Sequence, residues 1–225
     1  GYVAGVLDKG AVVMECNTPS MFFHDLKQGN ALYLQVPDVR YDGKRPLAVK
    51  DSEVYVGYSQ IWKKSLAKLL KGDGLFEQFT AVPEEKNNSG GIKNNVLRAF
   101  TLSDHNSGWM SFRDPNWGDA QNKGKLYYCE DLKRGEWRDI TDKAVYKDFA
   151  ICQWSEINVL QSDSRDAHTV YFVSKDVFHQ ANSRLFEMQV FVGGDSVVVT
   201  EIGEGLPKIG MNDIVIDRFS RVMYV

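Results

Sequence analysis

Between residues 114 and 122 the chain reads DPNWGDAQN, and Trp109 stands five residues before that stretch. An exposed indole beside carboxylates and amides stacks on a sugar ring or grips a partner protein, while the oxygens hydrogen-bond to hydroxyls or backbone groups. Trp109, Trp117, Asp114 and Asp119 are therefore the expected binding set, with both tryptophans reaching solvent. The same alternation of oxygen-bearing side chains is of the kind that wraps calcium, but it lacks the glycine and the terminal glutamate of an EF-hand loop. It reads as an Asx-rich turn, and no metal site is assigned.

Catalytic readings are weaker. A glycosidase needs two carboxylates facing the scissile bond, and Asp104 and Asp114 are the available acids. Yet Asp51, Asp104, Asp163 and Asp217 each follow a short apolar strand, which is better explained by an aspartate bonding to its own turn backbone. None of the four histidines, His24, His105, His168 and His179, pairs at i, i+4. His105 and His168 read as turn residues. There is no nucleophile elbow, phosphate loop or dinucleotide fingerprint, so no catalytic residue and no cofactor is expected. Cys16, Cys129 and Cys152 make an odd count without C-x-x-C spacing. They read as small buried thiols in strands, not as a disulfide framework or zinc site.

The elements that would position these residues repeat. PLAVKD with EVYVGY, AFTLSD with GWMSF, INVLQSD with TVYFVS, and DIVID with VMYV place Tyr55, Met110, Tyr171 and Tyr224 at intervals of 55, 61 and 53 residues. A closing strand repeats independently: LFEQFT, EWRDIT and VVVTEI set Thr80, Thr141 and Thr200 61 and 59 residues apart. Four strands per period predict an all-β fold, a β-propeller of about four four-stranded blades plus the start of a further one.

The blades run approximately over 2–36, 46–80, 96–141 and 156–202, with a partial one over 211–225. The first takes YVAGV, AVVME, MFF and ALYLQ as its strands. In the second, Leu66, Leu69 and Leu70 fall at helical spacing, so a helical turn is expected over Ser65–Leu70, ended by Gly72. Trp62, Trp137 and Trp154 stand at strand-like positions and are expected to pack between blades. The stretch 83–91, PEEKNNSGG, is a solvent loop. The chain opens on Gly instead of Met and stops in mid-blade, which leads to the expectation of a piece of a longer chain or a larger assembly.

Composition narrows the partners. Hydrophobic residues at 43% and charged ones at 25% are ordinary for a globular protein. A net charge of −3, with Lys and Arg scattered among Asp and Glu, argues against a nucleic-acid groove. No apolar run approaches the roughly 18 to 20 residues needed to span a bilayer.

The segments VYVGYSQIWKKS, GKLYYCEDLKRGEWRDIT and GLPKIGMNDIVIDRFSRVMYV resemble BNR-repeat or Asp-box β-propellers. In that family the Trp of the box packs between blades, and its Asp and Ser tie the hairpin turn to the backbone. Cys129, Asp131, Gly135 and Trp137 look like a degenerate copy, with the Gly two places late and the Trp one place late. The closing phrase is also similar to propeller regions of large exported surface proteins of the Bacteroidetes type. The resemblance carries the fold, and the function expected for the chain is a non-enzymatic recognition and scaffold module, extracellular or on the cell surface, that binds a protein partner or glycan through propeller loops. The alternatives are a glycoside hydrolase of the sialidase or xyloglucanase sort, with part of its site in missing blades, and a structural spacer.

Overall fold

The computed structural model describes residues 2–7, 10–15, 31–34, 46–57, 61–71, 76–80, 96–113, 124–176, 183–206, 210–211, 213–217, 220 and 222–225. The chain divides into two compact units, residues 1–81 and 82–225. Almost every element is a strand in an antiparallel meander. The expected loop at 83–91 and the strand expected at MFF lie outside the described residues.

In the first unit, β1 (Tyr2–Leu7), β2 (Gly10–Glu15) and β3 (Ala31–Leu34) form a three-stranded sheet. A second sheet runs in order through β4 (Leu47–Lys50), β5 (Glu53–Gly57), β6 (Ile61–Ser65) and β7 (Glu77–Thr80). β4 and β5 meet at a two-residue turn, Asp51-Ser52, in which both residues have positive φ. That is the mirror-image turn whose twist suits a tight hairpin. The expected helical turn is α1, Leu66–Lys71. The Ser65 hydroxyl accepts the Lys68 N–H at 3.3 Å, satisfying one of the free amides of the first turn. α1 buries Leu69 with Val54, Val56 and Phe76, and Leu47, Trp62 and Leu66 pack around them.

The second unit holds two four-stranded sheets. One is β8 (Val96–Leu102), β9 (Gly108–Arg113), β10 (Lys125–Cys129) and β11 (Trp137–Asp139). A small hairpin, β12 (Val145–Tyr146) with β13 (Phe149–Ala150), and a helical turn, α2 (Ile151–Trp154), then lead into the other. That sheet is β14 (Ser155–Ser162), β15 (Thr169–Asp176), β16 (Ser183–Val190) and β17 (Val197–Glu201). A last hairpin pairs β18 (Val215–Ile216) with β19 (Met223–Tyr224). Trp154 thus belongs to a helical turn, not to the strand expected for it.

β8 and β14 lie side by side, and each carries one extra residue. The register of β8 on β9 shifts at Arg98, and that of β14 on β15 shifts at Asn158. A bulge resets the inward and outward alternation. This is why Ile157 and Leu160, three apart, both enter the core that Val170, Phe172, Phe186 and Met188 form with Trp109, Leu126 and Tyr128 of the preceding sheet. The bulge also lets Arg98 reach across to Glu156, its Nε 2.5 Å from the carboxylate, with Arg113 on the other oxygen at 3.8 Å.

The alternate residues of the β14–β17 sheet, Val173 and Leu185 with Val159 and Tyr171, face Met211, Ile214, Ile216 and Met223 around the last hairpin. Cys129 and Cys152 are buried free thiols. Burial pushes the Cys152 thiol up to about 12, so it stays protonated and inert at neutral pH. Cys16 lies outside the described residues.

Candidate functional site

Three turns of the second unit gather at one end of its sheets. In the β8–β9 turn, the Ser103 hydroxyl accepts the N–H groups of His105 and Ser107 at 3.2 and 3.1 Å. Asn106 takes the left-handed conformation, φ 69°, and its side-chain amide donates to Asp131 Oδ1 at 2.6 Å. The Leu132 N–H in turn donates to the Asn106 carbonyl at 2.8 Å. In the β10–β11 turn, Asp131 Oδ1 also accepts the Lys133 N–H at 2.9 Å, and Gly135 closes the loop at φ 67°. In the β14–β15 turn, Asp163 and Asp166 accept the N–H groups of Arg165 and His168 at 2.8 and 2.9 Å.

Side chains then tie turn to turn. Ser107 donates to the Ala167 carbonyl, and the His105 ring Nε2 meets the Ser164 carbonyl at 3.1 Å. His168 Nδ1 meets the Tyr128 hydroxyl at 2.8 Å. Loops held at so many points present their remaining polar groups in fixed positions. His105 and His168 are turn residues, as expected. Asp163 bonds to its own turn backbone in the same way, while Asp217 accepts the Ser220 hydroxyl at 2.6 Å.

Beside this network is an open cleft of about 330 Å³ lined by Glu130, Asp131, Arg134, Glu136 and Arg138. All five come from one hairpin and its flanks. A second, much smaller cavity of about 60 Å³ lies between the β14–β15 turn and the last hairpin, lined by Asp163, Ser164, Arg165, Tyr171, Ile216, Asp217 and Met223. Burial works against the charge on Asp163. Hydrogen bonds from the Arg165 backbone and guanidinium and from Tyr171 outweigh it and hold the carboxyl below its ordinary value. Among the described residues no group of three or more His, Cys, Asp or Glu could hold a metal ion.

Of the expected binding set, only Trp109 lies among the described residues. Asp114, Trp117 and Asp119 lie outside the described residues. Trp109 does not reach solvent: it is 0% exposed and lies 5.2 Å from the Tyr128 ring. The reason is its place in β9, an interior strand buried along Gly108–Phe112, so that successive side chains enter cores on opposite faces. Its indole N–H finds no acceptor among the described residues.

Trp137, expected between blades, is only half buried. It pairs with Cys129, which pairs with Gly108. The ring reaches back over Cys129, and a Cβ on Gly108 would come within 3.1 Å of its Cη2. Gly108 is thus the gap into which this indole fits, in its own sheet. The sequence singles out this hairpin only through its likeness to a degenerate Asp-box, and the charged side chains that line the cleft carry no site motif of their own. The available signal was Asp131 followed by Gly135.

No protein-family model matches the chain, the Asp-box family included, and no curated protein matches it. Among solved structures, a luciferin-regenerating enzyme, of β-propeller type, is similar with a TM-score of 0.51 and 16% identity over 97% of this chain. At that identity the likeness is one of fold. The match takes in 62% of the enzyme's chain, so these 225 residues span less than two thirds of its length. The class defined is an all-β protein built of four-stranded antiparallel meanders, with a propeller-like neighbour.

Proposed function

We propose that this chain is a propeller segment, about four blades and the start of another, that acts as a non-enzymatic recognition and scaffold module. It binds a protein partner or a glycan through loops at one end, outside the cell or on its surface, as part of a longer chain or larger assembly. The observation that carries the reading is the network of three mutually bonded turns beside the cleft of Glu130, Asp131, Arg134, Glu136 and Arg138. Mixed charges on a rigid frame suit hydroxyl-rich or polar surfaces better than apolar ligands. The loop with Asp114, Trp117 and Asp119 is proposed as a second contact. Support for a larger assembly comes from the last hairpin, whose outer face leaves Val215 56% and Tyr224 59% exposed.

The rival, a glycoside hydrolase with part of its site elsewhere, needs a carboxylic acid that stays protonated near neutral pH. Among the described residues the buried carboxylate of Asp163, in the β14–β15 turn, is held in the opposite direction. The spacer reading requires no ligand at all. A panel of defined oligosaccharides and cell-surface proteins, screened on immobilised protein, separates the three. Recognition predicts saturable binding that Arg134→Glu with Arg138→Glu weakens at least about tenfold, or ~1.4 kcal/mol. Release of free sugar from any member would favour the hydrolase, and no binding would favour the spacer.

A further inference from the structure

We draw no further inference here: the strongest candidate, the bare apolar face of the last hairpin formed by Val215, Val222 and Tyr224, belongs to the assembly reading already given, and nothing in the structure shows what covers it.

Discussion

The β14–β17 sheet has two faces built from alternating residues of the same strands, and they pack very differently. One face meets a four-stranded sheet, through residues of β8, β9 and β10. Phe172 and Phe186 stack there with centroids 5.1 Å apart, closed over by Trp109, Tyr128 and Leu126. The boundary is also stitched by hydroxyls: Thr101 Oγ1 bonds to both the Oγ and the N–H of Ser162 at 3.2 Å, and Ser111 donates to the Ile157 carbonyl at 2.8 Å. The other face meets a two-strand hairpin, keeps a cavity of about 60 Å³ and is closed by half-buried Ile216 and Met223. An apolar face is only as dry as the layer set against it is wide, whatever its own residues.

The largest effects should fall on the four-strand side. Phe172→Ala should cost about 3–5 kcal/mol and Met223→Ala about half that, since a half-buried side chain leaves a smaller void. Urea unfolding followed by circular dichroism measures both. Equal costs would mean that the two faces are equally packed and would break the comparison.

The tryptophans sharpen it next. Trp109→Ala should cost about 3–5 kcal/mol, and Trp137→Ala no more than about half as much. If Trp137 proved the costlier, the core would lie elsewhere. Smaller again, Thr101→Val should cost roughly 1–2 kcal/mol, because it leaves the buried Ser162 N–H without its acceptor and the Ser162 Oγ without its donor. A neutral outcome would show that water replaces the stitch.

The last effect concerns acid on the looser side. A carboxyl whose folded pKa is depressed adds stability above its unfolded pKa and loses it as the pH falls through the folded value. The protein should therefore weaken below about pH 4, and Asp163→Asn should flatten that part of the profile. An unchanged acid limb in the variant would remove Asp163 from the explanation.

How much of this was legible beforehand depends on the range of the interaction. The four-stranded antiparallel meanders and the helical turn after Ser65 follow from local alternation and spacing, and among the described residues three such meanders and the helical turn are present. The bulges at Arg98 and Asn158 leave no local mark, since one extra residue looks like ordinary irregularity. The β12–β13 hairpin is too short to show a period. The repeat places Trp109 in the strand GWMSF, as found, but it does not show that β9 is an interior strand covered on both faces, so the indole expected in solvent beside the 114–122 stretch is buried. The bonds that join the turns, Asn106 to Asp131 and His105 to Ser164, connect residues 25 and 59 apart. No window of sequence contains both partners, so the turns could be expected but not their assembly into one surface.

The hydroxyl stitch has a kinetic side. Each meander pairs neighbours close in sequence, whereas Thr101 and Ser162 are 61 residues apart. Contacts that close long loops form late, after the local hairpins have paid little to assemble. Weakening that stitch should leave the refolding rate nearly untouched and act almost wholly as faster unfolding. The seam between the two sheets is then a clasp that sets how long the folded protein lasts, not how quickly it is made.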